Sequence, residues 1–285
     1  MESSPRGAMT ACVLVACLGL AGCIESAGPA RVKDTAPPSP EPSSDEAARV
    51  LSFDFDDLPA PDETKVLAPG ALTLRNAGPE PFTVRVATLA GGTLRSVRDP
   101  DGGRALRFPT YRERDPRGAV MTATSSSVTD PLAPGTSVVS FGADFTLNAR
   151  SEGGGPDDGN NLIQRGLSDD PAQYKIQIEG RRVSCRVAGD AGEVLVEAKR
   201  PIVPKTWYHV SCTREGNQVK LQLGAFGASL EPTLKVGATG AVYVSAETPL
   251  VIGGKATAAG MPVSSDSDQF NGVVDNVFLE IDEGP

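Results

Sequence analysis

Three features of the chain predict an all-β fold, a two-sheet antiparallel sandwich. Apolar residues come in short bursts with period-two alternation, turn signals separate those bursts, and the composition opposes long helices. There are 31 glycines, 24 prolines and only 4 methionines in 285 residues. Alternation places every second side chain on one face of a strand, so such bursts read as half-buried strands.

The strands can be taken in order. Val50 to Asp56 opens the domain, with Leu51, Phe53 and Phe55 on one face, and Ala71 to Arg75 and Phe82 to Ala87 are shorter. Ala105 to Phe108 follows an Asp-Gly-Gly turn at 101–103, then comes Ala119 to Thr124, and Ser137 to Leu147 follows the turn signal Pro134-Gly135. Next come Asn161 to Gly166, Tyr174 to Glu179 and Arg182 to Val187, the last two joined by a tight Gly180-Arg181 hairpin. Glu193 to Glu197 leads through a proline-containing loop into Trp207 to Arg214, and Glu215-Gly216-Asn217 turns the chain into Gln218 to Leu223. Pro249 to Gly254 is a compact apolar strand, and Phe270 to Ile281 closes the domain. Many short strands at this spacing argue for an antiparallel sandwich with turns at both ends. The glycine-rich stretches 153–159 and 254–269 read as loops, without a phosphate-cradling or dinucleotide pattern.

Ahead of the strands, Ala8 to Leu20 is an apolar run of signal-peptide length, shorter than the roughly 20 apolar residues of a permanent membrane span. It ends in Leu20-Ala21-Gly22-Cys23, which resembles the bacterial lipobox. That resemblance implies cleavage before Cys23, a diacylglycerol on its sulfur, and export to the cell envelope facing outside the cytoplasm. Residues 1–22 then form the signal peptide, 23–49 a lipid-anchored, disordered proline-rich linker, and 50–285 the folded domain. The proline-rich segment from Ala36 to Ser44 has no strand-length apolar run and reads as a semi-stiff spacer.

Cleavage would remove Cys12 and Cys17 and leave Cys185 and Cys212 beside the lipidated residue. An even pair in an exported protein suggests a disulfide, the alternative being two buried thiols. With His209 they supply three soft ligands at most, short of the four of a structural zinc site. The formal charge of −9 disfavours nucleic acid and anionic headgroups and says little about a neutral ligand such as a glycan.

The segment Trp207-Tyr208-His209-Val210-Ser211-Cys212, with the turn after it, resembles the tryptophan, histidine-valine and turn pattern of laminin G-like domains. These belong to the concanavalin A-like lectin/glucanase superfamily. Leu250 to Gly254 and Phe270-Asn271-Gly272-Val273-Val274-Asp275-Asn276-Val277 are similar to the family's late strands. The resemblance covers 137–282 and extends to residue 50, and it is to the actinobacterial exported type with a cysteine pair between middle strands. It implies a jelly roll with first and last strands side by side, in a family that binds glycans, proteins or calcium.

Asp275 and Asn276 on the last strand and Asp54 and Asp56 on the first could then approach one calcium, or serve as turn caps at a solvent edge. Asp158, Asn160 and Asn161 form a weaker oxygen-rich loop. Trp207 reads as a core or sheet-edge anchor, His209 as a strand residue with a structural hydrogen bond, and Tyr174 and Tyr208 as candidate stacking residues. For catalysis, Glu280 and Asp282 share a strand face, superficially like the acids of a glycoside hydrolase, which holds two carboxyls about 5.5 Å apart around a cleft. The run lies at the C-terminus, aromatics for a long sugar cleft are few, and no Gly-x-Ser-x-Gly elbow is present. The expected function is a binding or adhesion module for a glycan or an envelope protein.

Overall fold

The alternating segments form strands, and the strands form two antiparallel sheets packed through their apolar faces. The computed structural model describes residues 49–61, 65–79, 81–112, 117–150, 159–265 and 268–282, all in one unit, Asp45–Pro285. Cys23, the export signal, the proline-rich spacer, Asp158 and Glu283 lie outside the described residues.

In spatial order the first sheet runs β14 (Glu231–Val236), β13 (Gln218–Ala225), β12 (Trp207–Glu215), β7 (Val138–Leu147), β16 (Gly272–Asp282), β5 (Arg104–Arg107) and β4 (Arg95–Arg98). The first strand, β1 (Arg49–Phe53), also pairs with the last, β16, as the jelly-roll resemblance implies. The second sheet runs β11 (Gly192–Glu197), β10 (Arg182–Gly189), β9 (Gln173–Glu179), β8 (Asn160–Arg165), β15 (Leu250–Ile252), β6 (Gly118–Ser125), β3 (Phe82–Leu89) and β2 (Gly70–Leu72). This is an all-β, two-sheet antiparallel jelly roll of the concanavalin A-like type.

Register decides which side chains share a face. Leu106, Val274, Phe145 and Tyr208 are successive cross-strand partners, and they form one inward row of the first sheet. Phe141, Leu279, Cys212 and Leu221 form another. Fully buried Phe108, Phe145 and Phe270 meet edge-on, with ring centroids 5.6 and 6.4 Å apart. Each such side chain contributes about 1.5–3 kcal/mol by leaving water. Cys185 of β10 and Cys212 of β12 are bonded as a disulfide, with Cα atoms 6.1 Å apart, so the bridge ties one sheet to the other.

Two edge strands lie outside the alternating segments picked out from the sequence. Arg95-Ser96-Val97-Arg98 holds a single large apolar residue, and β14 is an edge strand exposed along most of its length. Pro232 is tolerated there because an edge strand can spare a backbone donor. At the start of the domain β1 ends at Phe53, since Phe55 takes a left-handed backbone (φ 58°), yet Leu51, Phe53 and Phe55 are all buried as the alternation predicts.

One end of the jelly roll is pinned by a buried guanidinium. Arg165 pairs with Asp130 at 2.6 Å and donates to the carbonyls of Thr248 and Ser245. Beside it the Tyr174 hydroxyl donates to the Leu132 carbonyl at 3.0 Å, and burial pushes that phenol up to about 12. Two loops, the one before β7 and the one before β15, are thereby held to β8 and β9.

Candidate functional site

The outward face of the first sheet carries the chemistry. On β12 the inward Val210 and Cys212 alternate with outward His209, Ser211 and Thr213. Register sets Ser211 between Gln222 of β13 and Gly142 of β7, Gly142 beside Phe278 of β16, and Phe278 beside Ser52 of β1. The neighbouring row is Thr213, Ser140 and Glu280. Together with Asn276 these side chains line an open cavity of about 380 Å³, a shelf of hydroxyls, amides, an imidazole and a carboxylate around one aromatic ring.

Gly142 makes room for that ring. A Cβ there would collide with the Val210 carbonyl oxygen and stand 2.7 Å from the Phe278 ring. The absent side chain therefore lets Phe278 lie against the sheet. Its ring is nearly parallel to the His209 imidazole, with centroids 6.3 Å apart and planes 7° apart. On the far side of the ring, the Ser140 and Thr213 hydroxyls are 3.0 Å apart.

A hydrogen-bonded chain fixes the imidazole. His209 Nδ1 is 2.7 Å from Asp144 Oδ1, and the Asn276 amide donates to Asp144 Oδ2 at 2.8 Å. Both carboxylate oxygens are thus occupied, and a neutral His209 donating from Nδ1 presents Nε2 as an acceptor. Asn276 reaches Asp144 because β16 shifts register between Asp275 and Phe278 and Asn276 adopts φ 47°, a left-handed conformation that Asn tolerates. The Asn276 backbone N–H donates to Asp275 Oδ1 at 2.8 Å. Burial pushes the Asp275 carboxyl up to about 8; the backbone hydrogen bond opposes this, and the Asp99 and Asp144 carboxylates add to it.

The structure distributes the residues singled out from sequence as follows. Asp54 accepts the Asp56 N–H, Asp56 accepts the Arg104 N–H, Asp275 bonds Asp99, and Asn276 serves Asp144. Among the described residues no group of three or more His, Cys, Asp or Glu side chains converges to hold a metal. These four therefore do not by themselves supply the six to eight oxygens of a calcium site. Asn160 and Asn161 are buried on β8 and bonded to Asn271 and Asp268. Tyr174 is fully buried and presents no ring to a ligand, and Tyr208 is half-buried, its ring stacked on Phe145 and its hydroxyl accepting the Val203 N–H. Trp207 is half-buried at the sheet surface against Phe226. Glu280 lines the shelf, and Asp282 is exposed at the strand's end.

Asp144, Phe278, Ser211 and Gln222 escaped the sequence reading. A signal for the first was present: Ser140, Gly142, Asp144 and Thr146 occupy the outward positions of β7, and an aspartate in such an apolar strand needs a partner.

Residues 162–281 match the Laminin G domain family model. That match covers the second half of the jelly roll, from β8 to β16. No curated protein matches the chain. Among solved structures it is similar to the botulinum neurotoxin serotype D binding domain (TM-score 0.49, 10% identity, 84% of this chain and 49% of that one). It is also similar to the binding domain of Paraclostridial Mosquitocidal Protein 1 (TM-score 0.49, 9% identity, 84% and 50%). A third is the marine PL-14 alginate lyase from Aplysia kurodai (TM-score 0.41, 11% identity, 66% and 87%). The chain spans about half the length of the first two structures.

Proposed function

We propose that this chain is an envelope-anchored recognition or adhesion module that binds carbohydrate on the outer shelf of its jelly roll. The observation that carries the reading is the shelf itself. An aromatic ring seated on Gly142 gives an apolar surface for a sugar ring, and Ser140, Ser211, Thr213, Gln222 and Glu280 surround it with donors and acceptors for hydroxyls. The His209–Asp144–Asn276 chain holds one such partner in a fixed orientation. In this proposal residues 1–22 are removed, Cys23 carries the lipid, 23–49 space the domain from the membrane, and 50–285 bind.

A glycan array, run with and without calcium, tests the binding half. Saturable binding that is lost in Phe278→Ala and His209→Ala supports the shelf. Capture of one envelope protein with no glycan bound replaces carbohydrate with a protein partner, and turnover of a polysaccharide abolished by Glu280→Gln makes the chain an enzyme. Mass spectrometry of the exported protein tests the anchor: a diacylated N-terminal Cys23 supports it, and retention of residues 1–22 overturns it.

A further inference from the structure

The outward face of the first sheet does not end at the shelf. Trp207 is the next outward residue of β12 beyond His209, and it lies outside the shelf's lining. The Phe226 N–H donates to the Trp207 carbonyl at 3.0 Å, and the two rings lie with centroids 5.8 Å apart. In the neighbouring row Leu230 comes back over Gly224, where an added Cβ would stand 2.9 Å from Leu230 Cδ2. Gly224 is the cross-strand partner of His209. Gly224 and Gly142 thus each seat an apolar side chain, Leu230 and Phe278, and the strand of His209 runs between them.

Phe226 and Leu230 are each 40% exposed, and Trp207 is half-buried. Single exposed apolar residues are ordinary, whereas a contiguous group beside a polar cavity marks a contact surface. Trp207 stands about 7 Å from His209 along the strand, and the Phe278 ring stacks 6.3 Å from the imidazole. The two aromatic anchors are therefore on the order of 13 Å apart, more than one sugar ring covers. Asp144 lies beneath this path with both oxygens taken by His209 and Asn276, and a formal charge of −9 works against a polyanionic ligand. Three partly exposed side chains fall far short of the roughly 800 Å² per partner that a stable protein interface covers.

On the carbohydrate reading of the shelf, we propose that Trp207, Phe226 and Leu230 form a second subsite, and that the ligand is a neutral oligosaccharide long enough to lie on both aromatic anchors. One sugar ring rests its apolar face on Phe278, the chain crosses His209, whose Nε2 accepts a hydroxyl hydrogen, and a further ring rests on Trp207. Each anchor removes apolar surface from water, so affinity rises with chain length until both are covered. A ligand of one or two rings reaches Phe278 alone.

The test is calorimetric titration of the full chain with neutral glucan, mannan, galactan and xylan oligosaccharides of one to six units, and with a polyuronate series as the charged control. For at least one neutral series, affinity should rise about tenfold or more between the disaccharide and the hexasaccharide. Trp207→Ala should remove that gain and leave disaccharide binding unchanged, and Trp207→Phe should keep part of it. Leu230→Glu, at an exposed loop position, should weaken the hexasaccharide alone, and melting curves check that the variants fold. Phe278→Ala should weaken every length. Binding that is equal at all lengths, or indifferent to Trp207→Ala and Leu230→Glu, while Phe278→Ala abolishes it, overturns the second subsite and leaves the shelf standing. No binding in any neutral series overturns both, and tighter binding of the polyuronates overturns the neutral ligand. An envelope protein captured by the wild type and lost in Trp207→Ala, with no glycan bound, makes the patch a protein contact instead.

Discussion

Breaking the Cys185–Cys212 bridge measures how much of the domain's stability depends on tying its two sheets together. The bonded residues are 27 apart in sequence, and the bridge joins β10 in one sheet to β12 in the other. Closing a loop of that length in the unfolded chain removes entropy worth about 3.6 kcal/mol at 25 °C. The native cost of losing the bond is separate. Both cysteines are fully buried, so Cys185→Ala/Cys212→Ala also empties space of roughly methylene size on each side, adding about 1 kcal/mol apiece. Reduction of the wild-type protein should therefore cost about 3.6 kcal/mol and the double variant somewhat more. In a domain of this size the first figure lowers Tm by roughly 7–14 °C. Urea unfolding of oxidised, reduced and double-variant protein gives the three free energies, and non-reducing mass spectrometry gives the bridge occupancy. A reduction penalty under about 1 kcal/mol, with the bridge fully formed at the start, would refute the entropic reasoning. Two alkylatable thiols in native protein would refute the bridge.

Three further outcomes follow from the same structure. Because the folded Asp275 carboxyl titrates near 8 against 3.8 for the ordinary group, the folded state holds a proton through that window that the unfolded chain has released. Its contribution is complete below about pH 4 and is lost as pH rises toward 8, a fall on the order of a few kcal/mol that Asp275→Asn should flatten in urea midpoints; an unchanged pH slope in the variant would sink this. Asp130→Asn leaves the wholly buried Arg165 guanidinium without its counter-ion and should cost about 3–5 kcal/mol, whereas Asp130→Leu/Arg165→Met should cost less; equal losses by thermal melting would argue against a desolvation origin. Gly142→Val forces a side chain into the Val210 carbonyl and the Phe278 ring and should destabilise by about 2–3 kcal/mol while displacing the Phe278 ring signals in NMR spectra; a variant with native stability and native shifts would contradict the packing described.

How much of this was legible in the sequence depends on what each feature needs. Burial parity was readable because it is local. Leu51, Phe53 and Phe55 alternate and all are buried, although Phe55 has already left the strand. The hairpin at Gly180-Arg181 was readable for the same reason: both residues take positive φ, and Glu179 pairs directly with Arg182. β4 was not readable, because a four-residue edge segment with one large apolar residue leaves no periodic trace, whereas β14 carries a short alternation, Pro232, Leu234 and Val236, whose side chains stay exposed at the sheet edge. The shelf shows the limit most clearly. Parity alone could have put Asp144, His209 and Phe278 on outward positions, but nothing local says that they meet. Asp144 lies 65 residues from His209 and 132 from Asn276, and only the order β12–β7–β16 makes them neighbours. Even that order is insufficient without the register shift that turns Asn276 toward Asp144. The same logic bears on Asp54, Asp56, Asp275 and Asn276 of the first and last strands, which the sequence offers either as ligands to one calcium or as turn caps at a solvent edge. Their strands are indeed adjacent, yet Phe53 pairs with Val277, and the side chains that follow are spent separately: Asp54 on a local turn, Asp56 on the Arg104 N–H, Asp275 on Asp99 and Asn276 on Asp144. Adjacency of strands brings backbones together. Which oxygens converge is decided one register step later, by bulges and turns whose residues leave only weak marks in a single sequence.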